Sequence, residues 1–243
     1  MAQPSDPTQQ LSNRGSTSVN APQSPHPRAK ISRALAETAP PADLPSFALV
    51  PGNPQSPEWH LPPSVAGAST PWLCWSGSLA PHPFTPDPRN WMRAGQEAFH
   101  RWADARAAEH AARNAGNDPS AVRCAVLPHH TQLLSDLSGQ MRLWHQYGAN
   151  GIGSVLHPAA LIAPSMLRDL EDHLLRAFTM LGPRCILCIL QDIDLLQHDD
   201  GGTEVRLLPW GSGRMPHAQV ERLLNEHVPP HIPVCIPEDP LPA

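Results

Sequence analysis

At 243 residues and a formal net charge of −5, the chain has room for one sizeable core plus a tail, and it lacks the broad positive footprint that nucleic acid needs. Charged residues make up 16% and aromatic residues 5%, while 31 prolines, most of them before residue 90, set the N-terminal third apart. Lys30 is the only lysine, which excludes P-loop nucleotide binding, protein-kinase chemistry and pyridoxal catalysis, since each needs a lysine inside the fold.

From Met1 to Pro57 the text is Pro, Ser, Gln, Asn and Ala with few large apolar residues. Such a stretch buries too little surface to offset chain entropy, so a disordered, proline-rich tail is expected, with one domain from Glu58 to Ala243. Ile31 to Glu37, ISRALAE, reads as a helical turn or a docking peptide. Trp59, Trp72 and Trp75 then enter a segment still punctuated by proline, which would wrap the domain, and Pro71 to Leu79 contains a candidate first strand.

Asp87-Pro88 is an N-cap followed by proline at the first helical position, where the missing N–H costs nothing. Trp91, Ala94, Ala98, Trp102 and Ala105 recur at helical spacing, predicting a helix that stops near Gly116. Ala121 to Leu127 reads as a buried strand. Thr131 to Gly148 reads as a helix with Leu134, Leu137, Met141 and Trp144 on one face. Tyr147 to Ser154 reads as a helix stop and flexible glycine loop. A helix follows whose stripe is Leu167, Leu170, Leu174, Phe178 and Leu181, with Asp172 and Arg176 paired across one turn on its wet side. A strand from Cys185, a hairpin, a helix over His217 to His227 and a last strand in IPVCIP complete the chain. The order predicts an α/β (or α+β) fold, a mixed sheet of about four to five strands packed with helices.

The densest chemistry is LQDIDLLQHDDGGTEVRLLPW, Leu190 to Trp210. A three-residue loop, Asp199-Asp200-Gly201, sets Ile193 opposite Leu207, Leu195 opposite Val205 and Asp194 opposite Arg206, with Gly201 supplying the left-handed position. The apolar residues then share one face and a cross-strand ion pair lies on the other. Asp192, Asp194 and Glu204 on adjacent strands are also the kind of set with which metal-dependent nucleases hold a divalent cation, although Arg206 stands where a lysine would be needed.

His129-His130 follows a buried strand, at the edge where open α/β sheets place ligands, and either imidazole suits general-base or metal-ligand work. Cys185 and Cys188 lie in an apolar run with no turn between them, which predicts buried thiols and no zinc site. The odd number of irregularly spaced cysteines fits reduced thiols in the cytoplasm. No stretch approaches the ~20 apolar residues that span a bilayer.

These features lead to two expectations. The first is a non-catalytic interaction or accessory domain with a disordered tail, bound to another protein, needing no cofactor and touching neither membrane nor nucleotide. The alternative is a hydrolase or nuclease dependent on a divalent metal, with His129, His130, Asp192 and Glu204 catalytic and Asp192, Asp194 and Glu204 on the metal.

Overall fold

The computed structural model describes residues 30–33, 46–66, 70–113 and 124–241, with backbone alone for 30–33 and 66. The strands are β1 (Lys30–Arg33), β2 (Ser46–Leu49), β3 (Trp72–Trp75), β4 (Cys124–Leu127), β5 (Ile152–Leu156), β6 (Cys185–Ile189), β7 (Asp192–Gln197), β8 (Thr203–Leu208) and β9 (Val234–Cys235). The helices are α1 (Pro63–Ala66), α2 (Arg93–Arg113), α3 (Leu137–Tyr147), α4 (Pro158–Leu161), α5 (Leu170–Leu181) and α6 (His217–His227).

The fold is α/β. Seven strands form one sheet in the order β1-β2-β3-β4-β5-β6-β9, with every neighbouring pair parallel. The strands follow chain order, so the sheet is wound in one direction. The strand side chains divide between two apolar clusters, and the buried helix residues divide with them, those of α2 and the C-terminal half of α3 in one and those of α5 and α6 in the other. Trp72, Cys74, Cys124, Val126 and Ile152 cluster with Phe99 and Trp102 of α2 and Leu143 and Tyr147 of α3. Their alternates Leu73, Trp75, Ala125, Leu127 and Val155 belong to a second cluster, which also takes in Ile193, Val205 and Leu207 of the hairpin.

Helix starts follow the caps in the sequence. Asp87 accepts the Arg89 N–H at 2.9 Å and opens a 3₁₀ turn, Pro88–Trp91, ahead of α2. Asp136 accepts the Gly139 N–H at 2.6 Å and opens α3. On α5, Leu174, Phe178 and Leu181 are buried as the stripe implies, and Asp172 meets Arg176 at 2.7 Å. The hairpin has the expected register, Ile193↔Leu207, Asp194↔Arg206 and Leu195↔Val205. In its loop the Gly201 N–H donates to His198 O at 3.0 Å, and Gly201 has φ +83°.

Several expectations are corrected. The sheet has more than five strands and is parallel throughout, because the antiparallel pair β7-β8 forms a separate sheet. Residues 46–57 are not part of a tail: β2 pairs with β3, and Phe47, Leu49 and Val50 are buried. Lys30–Arg33 is a strand and not a helical turn, while the remaining tail residues lie outside the described residues, as do Gly116 and residues 121–123. The glycine-rich stretch after Tyr147 is not a flexible loop, since Ile152–Leu156 is a fully buried strand. Gly151 turns the chain into it at φ +80°, and any Cβ there would lie 2.5 Å from the His110 ring. Leu134 lies ahead of α3, and Trp91, in the 3₁₀ turn, is 49% exposed instead of lining a helix face.

Candidate functional site at the C-terminal edge of the sheet

Parallel strands all point one way, so the residues that follow them converge on one edge, where α/β folds hold their ligands. Ser76 follows β3, His129 follows β4 after Pro128, His157 follows β5, and Gln191-Asp192 follows β6. All five are buried, none more than 4% exposed.

Part of this polar layer is fully bonded and holds loops together. Asn53 donates to the Ser78 and Ala80 carbonyls at 2.8 and 3.2 Å and accepts the Ser78 N–H at 3.0 Å. Asn90 donates to Ser78 Oγ and to the Thr131 carbonyl, each at 2.9 Å, and accepts the Leu79 N–H at 2.8 Å. Ser76 Oγ lies 3.2 Å from Gln132 Oε1 and accepts the Leu134 N–H at 3.1 Å. These bonds tie the loops after β2, β3 and β4 to one another.

A second part is not bonded. Apart from each other, His157 and Gln191 have no hydrogen-bond partner at either ring nitrogen or either amide atom, and His130 Nδ1 and the Gln132 amide nitrogen have none. His129 stacks near His130 with ring centroids 4.5 Å apart, and its Nδ1 lies 2.8 Å from Thr131 Oγ1. Trp75 stands edge-on to His129 at 5.7 Å and tilted to His157 at 6.1 Å, and Phe84 stands edge-on to His129 at 5.1 Å. Burial pushes the His157 pKa down to about 3, with Gln191 the neighbour that works against the shift. Burial, then the neighbouring His130 and His157, hold His129 well below the usual imidazole range. Both rings are therefore neutral at pH 7, each offering one donor and one acceptor.

Asp192 is fully buried beside this group. Its Oδ1 accepts the Met215 and Ile193 N–H groups at 2.8 and 2.9 Å, and its Oδ2 accepts the Gly211 N–H at 3.2 Å. His217, the first residue of α6, places Nε2 2.6 Å from the same Oδ2, under the Trp210 ring at 4.6 Å. Burial pushes the Asp192 carboxyl up, but hydrogen bonds from Met215, His217, Gly213 and Ile193 outweigh it and hold its pKa below the ordinary value. An ionised carboxylate fixes the His217 ring with the proton on Nε2, leaving Nδ1 as the basic nitrogen. Gly213 makes the loop possible, because a Cβ there would lie 2.2 Å from Ile193 O and 2.6 Å from Asp192 Oδ1.

The structure thus places His129, His130 and Asp192 at the sheet's C-terminal edge and leaves the other sequence candidates on the hairpin. Asp194 faces Arg206 in register, but its ion pair is with Arg214, whose Nε lies 3.1 Å away. Glu204 is exposed and pairs with His198 at 3.0 Å, although its charge reaches His130 and opposes the burial that lowers that pKa. Among the described residues no three His, Cys, Asp or Glu side chains gather closely enough to hold a metal ion. The set Asp192, Asp194 and Glu204 is therefore not assembled as a cation site. Sequence reasoning missed His157, Gln191 and His217. The signal for the first two is present, since His157 directly follows β5 and Gln191 lies one residue beyond β6, but IGSVL by itself reads as a loop.

Together these features define a singly wound parallel α/β protein with a partly unsatisfied polar cluster at the C-terminal edge of its sheet. No family model matches the chain, and no curated protein matches it. Among the described residues no helix is long and apolar enough to cross a membrane. The five cysteines are all buried, and none of them forms a disulfide.

Proposed function

We propose that this chain is a small-molecule enzyme of the hydrolase type that works by general acid–base chemistry. The observation that carries the reading is the contrast in hydrogen bonding within one buried layer. Asn53, Asn90 and Asp192 are richly bonded, while the equally buried His157 and Gln191 have at most each other as partners. Leaving a buried polar group unsatisfied costs about 1–3 kcal/mol. A fold that spends this on adjacent strand ends keeps those groups for a ligand.

In this reading neutral His157 and Gln191 bind a neutral group rich in donors and acceptors, such as an amide or ester carbonyl. Trp75 and Phe84 wall the site. His217, oriented by Asp192, takes a proton from water as the hydroxide adds to the carbonyl carbon; the bond from that carbon to the alcohol or amine then breaks, and the leaving group departs with the proton returned by His217. Gln191 and Asp192 are consecutive, which ties the recognition group to the dyad. The test is a panel of aryl esters and anilides assayed with the wild-type chain, His217→Gln and His157→Leu. Turnover that drops about 100-fold or more in His217→Gln supports the reading. Absence of turnover across the panel, or full activity in both variants, refutes it.

One observation favours a second reading, an interaction or accessory domain that binds another protein in the cytoplasm. Trp91 and Met92 are adjacent and 49% and 60% exposed, a small apolar patch on the 3₁₀ turn before α2. Trp91→Glu would abolish capture of such a partner without touching hydrolysis.

A further inference from the structure

The strand-end cluster is closed. His129, His157 and Gln191 are each 4% exposed or less, so a ligand reaches them only when something that covers them moves. The cover over His129 is Phe84, whose ring stands edge-on to His129 at 5.1 Å and to Trp75 at 5.2 Å. Trp75 in turn lies against His157 at 6.1 Å. Phe84 sits midway along residues 81–86, in the loop after β3.

Both ends of this segment are tied down. On one side the Leu79 N–H donates to Asn90 Oδ1 at 2.8 Å and the Ala80 carbonyl accepts from Asn53 at 3.2 Å. On the other, the Asp87 carboxylate accepts from the Arg89 N–H at 2.9 Å and from its guanidinium Nε at 3.0 Å. Between these ties, among the described residues, the hydrogen bonds of residues 81–86 stay inside the loop. The Thr85 N–H donates to His82 O at 3.2 Å and the Phe84 N–H to His82 Nδ1 at 3.4 Å. Pro81, Pro83 and Pro86 fix φ and supply no N–H, which stiffens the segment without bonding it to its surroundings. Pro81, His82, Thr85 and Pro86 are exposed, whereas Phe84 packs on the larger core. What holds the loop over the strand ends is therefore the Phe84 ring.

We infer that residues 81–86 form a lid and that Phe84 is its latch. Swinging the loop about its tied ends lifts the phenyl ring from His129 and Trp75 and admits a small neutral ligand to the strand-end cluster. Lids come from the least bonded parts of a fold and open without global unfolding. An entrance here rests on the hydrolase reading for what passes through it, while the opening is measured without turnover, so failure of one leaves the other standing.

The experiment treats the full chain with diethyl pyrocarbonate, which acylates neutral imidazoles, at about pH 7.5 and at urea concentrations up to about 1 M, below the unfolding range. Peptide mass spectrometry follows each histidine. His129 is expected to react at a rate that urea leaves unchanged, because local opening exposes little surface, whereas reaction through global unfolding rises about tenfold or more per molar. Phe84→Ala speeds the reaction of His129 by about tenfold or more. It leaves His110 unchanged, a buried histidine of α2 beside Gly151 at the opposite edge of the sheet. A His129 rate that climbs with urea as global unfolding does, or one that Phe84→Ala leaves unchanged, overturns the lid. If Phe84→Ala does not fold, or speeds His110 equally, the urea series on the wild-type chain decides alone.

Discussion

Gln191 and His157 are both buried at adjacent strand ends, which makes their substitution informative. Replacing Gln191 by Met removes two unanswered polar atoms and keeps the volume, so the variant should be more stable by about 1–3 kcal/mol in urea unfolding. A loss of more than about 1 kcal/mol would mean that the amide is bonded within the protein. His157 adds a pH signature. Its folded-state pKa, about 3, lies below the ordinary 6.5, so the unfolded chain binds the extra proton first as pH falls. The stability that His157 withholds from the unfolded state is complete above about pH 6.5 and is lost as pH drops toward 3, up to about 5 kcal/mol. His129, shifted the same way by burial, steepens the loss. Unfolding curves at several pH values in this window should show it, and His157→Leu should flatten the slope. An unchanged slope in that variant would place the titration elsewhere.

At the scale of elements, two glycines near the hairpin separate a turn requirement from a packing requirement. Gly201 has φ +83° and nothing within 4 Å of a built Cβ, so Gly201→Ala should cost only the left-handed penalty of about 1–2 kcal/mol. Gly213 would drive a Cβ into Ile193 O and Asp192 Oδ1, so Gly213→Ala should cost more than about 3 kcal/mol and disturb the Asp192–His217 pair. Equal costs for the two would contradict the close approach. Gly201 was readable beforehand because alternation, turn chemistry and charge pairing in one short stretch all agree on a single register. Helix α6 and the α5 stripe were readable for a similar reason, periodicity over several turns. Strand β5 was not: IGSVL is short, its glycine and serine weaken the apolar signal, and its register comes from β4 and β6 on either side. The dyad was half legible for the same reason. Asp192 stands out in an acidic stretch, but His217 reaches it across 25 residues through a loop whose closure depends on Gly213, and no local pattern encodes that contact.

Over the whole molecule, the sheet's one-directional winding explains why β2 matters although its sequence looks like tail. A parallel sheet in a singly wound fold is built by adding strands at one side, and each strand protects the edge of the next. SFAL, four residues in proline-rich text, carries no periodicity long enough to announce a strand. Its partner β3 supplies the missing information: Ala48 and Leu49 pair with Trp72 and Leu73, and Val50 donates its N–H to Leu73 O at 2.8 Å. Three residues after Val50, Asn53 fastens the loop after β3, on which Ser76 and Ser78 sit. Removing residues 1–54 therefore strips Phe47, Leu49 and Val50 from the core at about 1.5–3 kcal/mol each, and removes Asn53 from buried partners at about 1–3 kcal/mol more. The sum matches the whole stability of an ordinary domain, about 5–15 kcal/mol. The truncated chain should fail to show a cooperative melt by circular dichroism, and Asn53→Ala in the full chain should lower the midpoint without abolishing it. A truncated chain that melts at the full-length temperature would mean that the sheet begins at β3 and that the loop bearing Ser76 and Ser78 is held without β2.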